Sequence, residues 1–167
     1  MLAADAPHPY VVTGHVGYSF DGGQTIYGFG PSVPEGMSAF DAVQSLRNGA
    51  SYPGVISNDT AVFESVANNP AVGRGGVPQT VIQQQIPVSQ AQFDAMQAAH
   101  DSIGVGNPMD NVFYGFPAKG GTAPVGCYFN CATFPSSLGI PIPENTGIMR
   151  TYMPQLEQLG TPWTPSK

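Results

Sequence analysis

Two β-rich runs separated by a glycine turn constrain this chain most. Tyr10-Val11-Val12-Thr13-Gly14-His15-Val16-Gly17-Tyr18-Ser19-Phe20 is dense in β-branched and aromatic residues and predicts a strand. Asp21-Gly22-Gly23-Gln24 is a turn signal, and Thr25-Ile26-Tyr27-Gly28-Phe29-Gly30 predicts the returning strand. Alternation along the first strand places His15, Gly17 and Ser19 on one face and Val16, Tyr18 and Phe20 on the other. Small neighbours on its own face leave room for another group to approach the imidazole.

Helix signals follow the hairpin. Ser38 predicts a cap for a helix over Ala39–Leu46, stopped by Asn48-Gly49. Residues 50–75 read as loop, with a short helical or extended piece near Ala61–Val66 and a plain turn at Gly73-Arg74-Gly75-Gly76. Thr80–Val88 predicts a strand ended by Pro87 or lying at a sheet edge. Ser89 then predicts the cap of a helix from Gln90 to Ile103, with Phe93, Met96, Ala99 and Ile103 as its buried stripe and Gly104 as its stop. A Gly/Pro/Asn-rich connection over 105–126 carries one apolar piece, Val112–Phe116, and a last helical piece is expected around Gly147 to Leu159. The expected fold class is α+β, a small antiparallel sheet packed on several helices. The expected division is a flexible leader over 1–8, one catalytic domain over 9–160 and a frayed tail over 161–167.

Charge narrows the function classes. Lys and Arg total five against eleven acidic residues, a net charge of −6, and only 10% of residues are charged. That is a poor footprint for nucleic acid or an anionic membrane surface. Apolar residues at 41% and seven tyrosines argue against disorder despite 21 glycines and 17 prolines. No apolar run approaches the ~20 residues of a membrane span, and no basic segment precedes an apolar one at the start. The expectation is a soluble chain, exported or delivered as part of a larger effector without a cleaved signal peptide.

The two cysteines lie in Gly126-Cys127-Tyr128-Phe129-Asn130-Cys131-Ala132-Thr133-Phe134-Pro135. Cys131 stands at, or one turn before, the start of a short helix, where unpaired N–H groups and the helix dipole favour a thiolate. Pro135 requires either that the helix start near Thr133 or that its first turn be distorted. A Cys127–Cys131 disulfide would close too small a loop to be much of a staple. Only three histidines are present, with no paired-ligand spacing, so a zinc site is not indicated and no cofactor is expected.

A late cysteine and an early histidine make the minimal pair for covalent acyl transfer. Each has a bland alternative: a buried inert thiol for Cys131, a satisfied structural histidine for His15. Cys127 reads as a packing thiol or as a redox partner of Cys131. Asn130 is a cap or turn residue as readily as a catalytic one. His100 reads as a complement to its helix C-terminal dipole.

Gly14-His15-Val16-Gly17, followed by Tyr27-Gly28 on the next strand and by Asn130-Cys131-Ala132-Thr133-Phe134, resembles the circularly permuted papain-like superfamily. That group includes NlpC-type permuted peptidases and lecithin:retinol acyltransferase-like enzymes, in which His precedes Cys. The resemblance covers most of the chain as an order of elements and these two short motifs at residue level. It implies Cys131 as nucleophile, His15 as base and the Cys131 N–H at the oxyanion. The superfamily's orienting group on the second strand, often a second His, has no equivalent here, and the Tyr27 hydroxyl is the candidate for that role. The implied substrates are peptide, peptidoglycan cross-bridge, protein side-chain amide or lipid ester. The style of the sequence also resembles the C-terminal toxin module of bacterial Rhs or type VI secretion effectors, which implies a cognate immunity protein. The alternative is a non-catalytic binding or structural domain, the latter with a Cys127–Cys131 disulfide.

Overall fold

A computed structural model of the chain describes residues 2–6, 13–68, 80–115, 128–129, 133–142 and 154–162. In chain order these form β1 (Leu2–Ala6), β2 (Thr13–Tyr18), β3 (Tyr27–Pro31), α1 (Ala39–Arg47), β4 (Tyr52–Asn58), α2 (Thr60–Asn68), β5 (Thr80–Gln85), α3 (Gln90–Ile103), β6 (Phe113–Tyr114), β7 (Tyr128–Phe129), α4 (Phe134–Ser137) and β8 (Thr161–Pro162). The strands make one sheet in the order β7-β6-β4-β3-β2-β1-β5-β8. All pairings of these strands are antiparallel except β6 with β7. The α+β expectation holds, with a wider sheet than the sequence suggested.

The hairpin forms because the turn supplies its own hydrogen bonds. Ser19 Oγ accepts from the Gly23 N–H at 2.8 Å, and the Asp21 carboxylate accepts from the Thr25 N–H at 2.9 Å. Gly22 and Gly23 take φ of 72° and 85°, a region costly for any residue with a Cβ. The resulting register sets Gly17 opposite Gly28 and Tyr18 opposite Tyr27. Directly opposed residues share a face, so this register decides what each side of the sheet carries.

One face is the main core. Tyr18, Phe29 and Ile56 from the sheet pack with Met96 of α3, and with Phe134, Leu138 and Ile140 in and after α4. The other face carries α2, whose Phe63 packs with Ile26 and Val81. A Cβ on Gly17 would come within 2.6 Å of Ile26 Cγ2 and 2.9 Å of Phe63 Cε2. The open space expected beside His15 at that position is therefore filled by α2.

The capped helices form as their signals predict. Ser38 Oγ accepts from the Asp41 N–H, and Ser89 with Gln92 forms a reciprocal capping box. Gly104 ends α3 at φ 79°.

Three expectations are corrected. Residues 52–58 are not loop but β4, paired with β3 on one side and β6 on the other. Pro53 and Gly54 disguise it, although the Pro53 carbonyl accepts from Ser32 N–H at 2.7 Å and the Phe29 ring lies over Gly54. Within the leader, Leu2–Ala6 is β1, held by ladders to β2 and β5 on its two sides, which a strand of small residues can use as well as any other. In the tail, Thr161 and Pro162 pair with Gln85 and Gln84. The expected last helical piece is seen at 154–156, where Leu156 is fully buried, and its part over 147–153 lies outside the described residues.

Candidate functional site

Strand β2 presents His15 on the α2 face, and the β4–α2 junction presents Asp59 to it. His15 Nε2 and Asp59 Oδ2 are 2.5 Å apart. Ser57, at the end of β4, donates its hydroxyl to the other carboxylate oxygen at 2.7 Å. Gly28 lies beneath the pair: a Cβ there would overlap the Asp59 carboxylate and sit 2.7 Å from His15 Nε2. The Phe63 ring flanks the imidazole, with centroids 5.6 Å apart and planes tilted by 30°. The His15 side chain is 33% exposed and the Asp59 side chain 13%.

This arrangement fixes the imidazole electronically as well as spatially. A carboxylate only accepts, so the proton of a neutral His15 belongs on Nε2 and the basic lone pair on Nδ1. When the ring takes a second proton, Asp59 is placed to stabilise the cation. Asp59 is the residue that sequence reasoning missed. Its signal was the triplet Asn58-Asp59-Thr60 ahead of apolar Val62, Phe63 and Val66, a helix start with polar capping residues. The Asp59 carbonyl indeed accepts from the Phe63 N–H at 3.1 Å, opening α2.

The structure does not bring Tyr27 to His15. Register pairs Tyr27 with Tyr18, and alternation puts both on the face opposite His15. There the Tyr27 ring lies 4.4 Å from that of His100 and 5.9 Å from that of Tyr18. Asp59, not Tyr27, holds the imidazole of His15.

His100 is not a surface complement to its helix dipole. It is 4% exposed, shares a 3.0 Å hydrogen bond between Nδ1 and the Tyr18 hydroxyl, and is edged by the Phe20 ring. Burial holds its pKa below the usual histidine value, with Asp101 pulling weakly the other way. Burial, aided by Tyr27 and Asp59, pushes the Tyr18 hydroxyl well above the usual tyrosine value.

Cys131, Cys127 and Asn130 lie outside the described residues. Of the flanking residues, Phe129 pairs with Tyr114 on the sheet's edge, and Phe134 stacks on Phe29 with centroids 4.0 Å apart and planes within 7°. Helix α4 follows Thr133 and carries Pro135 in its first turn, the first of the two arrangements that proline allows. Among the described residues no three His, Cys, Asp or Glu side chains gather in a metal-holding group, and no helix is long and apolar enough to cross a membrane.

No protein-family model, curated protein or solved structure matches the chain.

Proposed function

We propose that the chain is a thiol-dependent hydrolase or acyltransferase acting on an amide or ester, with Cys131 as nucleophile, His15 as general base and Asp59 as the group that orients the base. The observation that carries this reading is the His15–Asp59–Ser57 chain of hydrogen bonds, which holds a partly exposed imidazole against a carboxylate. The permuted papain-like arrangement implied by the sequence motifs is consistent with a histidine on a hairpin strand preceding the cysteine.

In this mechanism Nδ1 of His15 takes the thiol proton while Asp59 steadies the imidazolium. The thiolate attacks the carbonyl carbon, and the imidazolium returns its proton to the departing amine or alcohol, leaving a thioester. Nδ1 then deprotonates water, or an acceptor nucleophile in a transferase, which attacks the thioester and restores the thiol. Peptide, peptidoglycan, protein amide and lipid ester all suit this chemistry. An antibacterial effector role, with an immunity protein as partner, is the setting that the resemblance implies.

A second reading has its own observation. Strand β7, with Phe129, is four strand positions from β2, roughly 19 Å across a sheet of ~4.8 Å spacing, and Phe134 packs on the face opposite His15. That placement favours the His15–Asp59 pair activating water directly, without the thiol. Alkylation of each cysteine, followed by mass spectrometry across pH, separates the two. Selective labelling of Cys131 below the ~8.5 of an ordinary thiol, lost in both His15→Ala and Asp59→Asn, supports the thiol mechanism. Slow labelling indifferent to both substitutions removes Cys131 and leaves the water mechanism.

A further inference from the structure

A single residue, Asp59, separates the end of β4 from the start of α2. The last rung of the β3–β4 ladder pairs Tyr27 with Asn58. Beyond that rung Ile26 continues the pairing with both of its backbone groups. Its carbonyl accepts from the Asp59 N–H at 2.8 Å, and its N–H donates to the Thr60 hydroxyl at 2.9 Å. The ladder thus gains a rung in which a side-chain oxygen stands where a strand carbonyl would be. That hydroxyl is itself aimed. It donates to Asn58 Oδ1 at 2.7 Å, and the same oxygen accepts the Thr60 N–H at 3.1 Å.

We propose that Thr60 is a positioning residue whose hydroxyl holds Asp59 against His15. Three features carry this assignment. A hydroxyl at a helix start ordinarily accepts from an amide of its own first turn. Thr60 instead accepts from Ile26, 34 residues earlier and on the neighbouring strand. The bonds also close a circuit of elements. His15 rides on β2, and β2 is registered on β3 by Gly17 opposite Gly28. Ile26, just before β3, grips the β4–α2 corner, and the corner returns Asp59 to His15 at 2.5 Å. Finally, the Ile26 side chain is 4% exposed and packs on Phe63, whose ring flanks the imidazole. A shift of Ile26 therefore moves two neighbours of His15 together. Valine keeps the shape of Thr60 and leaves the Ile26 N–H without that acceptor, whereas serine keeps the hydroxyl. The catalytic consequence of this hold rests on His15 acting as the base, but the hold itself can be read without substrate or thiol.

The readout is exchange of the His15 Nε2 proton with water, followed by NMR on the full chain labelled with nitrogen-15 histidine. Asp59→Ala sets the rate of the unheld ring. Thr60→Val is expected to speed exchange about tenfold relative to wild type, the order lost when a hydrogen bond is broken and its buried donor left unpaired. Thr60→Ser is expected to stay within about twofold of wild type, since its hydroxyl restores the bond. Backbone amides of α3, such as that of Met96, are expected to keep their wild-type rates in both variants. Should Thr60→Val not fold, Asn58→Ala, which frees the hydroxyl to turn, is expected to speed exchange about threefold. A ring proton unchanged in Thr60→Val, or in Asn58→Ala where that variant has to decide, would overturn the proposal. Equal acceleration of the ring proton and the α3 amides would overturn it too, because Thr60 would then only stabilise the fold. A wild-type rate as fast as that of Asp59→Ala would remove the His15–Asp59 bond and the proposal with it. Cys131 labelling indifferent to His15→Ala, beside the expected ring-proton rates, would remove the thiol mechanism and leave the role of Thr60 standing.

Discussion

Gly28→Ala tests the candidate site through a single methyl group. The methyl would overlap the Asp59 carboxylate and lie 2.7 Å from His15 Nε2. Ordinary contact is near 3.5–4.0 Å, so one or both partners must move by ~1 Å or more. A 2.5 Å bond stretched that far is no longer a good hydrogen bond. Losing a hydrogen bond to a charged group costs about 1.5–3 kcal/mol, and the local crowding adds about 1–3 kcal/mol. The Gly-to-Ala change returns about 0.4–1 kcal/mol by restricting the unfolded chain. The expected net loss is roughly 1.5–5.5 kcal/mol, or about 3–20 °C in Tm for a chain of this length. Gly30→Ala is the control, because a Cβ there meets nothing within 4 Å, and it should change stability by less than about 0.5 kcal/mol. Urea unfolding by circular dichroism measures the loss. Long-range proton–nitrogen NMR of the imidazole reports whether the Nε2–H tautomer of His15 survives. A Gly28→Ala protein as stable as wild type, with that tautomer intact, would refute the packing of His15, Asp59 and Gly28 described here.

Two further predictions concern the core. Because burial depresses the His100 pKa, the unfolded chain binds the proton more readily than the folded one. The stability from neutral His100 is fully present above the ordinary value of ~6.5 and is lost as pH falls below it, with a slope of at most about 1.4 kcal/mol per pH unit. Unfolding curves between pH 5 and 8 should show that slope in wild type and a shallower one in His100→Gln. Phe134→Ala removes a ring that is 1% exposed and stacked on Phe29, and should cost about 3–5 kcal/mol by urea unfolding. A loss under 1 kcal/mol would place α4 elsewhere than on this face.

Legibility in the sequence followed the range of the interactions. The hairpin and the two capped helices are closed by contacts within a few residues, Ser19 to Gly23 or Ser89 to Gln92, so their signals are local. Strand β4 is not readable this way. Its Pro53 and Gly54 look like loop until Phe29 is known to lie over Gly54, a contact fixed only by the β3–β4 register. The His15–Asp59 pair spans 44 residues and needs that same register, so it was invisible until β4 was placed. Tyr27 was misassigned for a related reason. Its face depends on how many residues the turn consumes, and a slip of one would have turned it toward His15.

The two described histidines near these aromatics divide cleanly once the faces are known, and the division argues which one can do acid–base work. A general base must reach a proton on substrate or nucleophile and hand it on. His100 is 4% exposed, and burial disfavours its cation, so it is held neutral behind Tyr18 and Tyr27. Its role there is to complete the hydrogen bonding of a buried tyrosine. His15 has the opposite setting: a third of its side chain is open, and Asp59 stands ready to stabilise the charged ring. Ser57 in turn donates to Asp59 and helps hold its carboxylate against His15. Glycine at position 28 is what lets that carboxylate come so close to the strand. Of these two histidines only His15 therefore has both the access and the carboxylate partner that acid–base work requires.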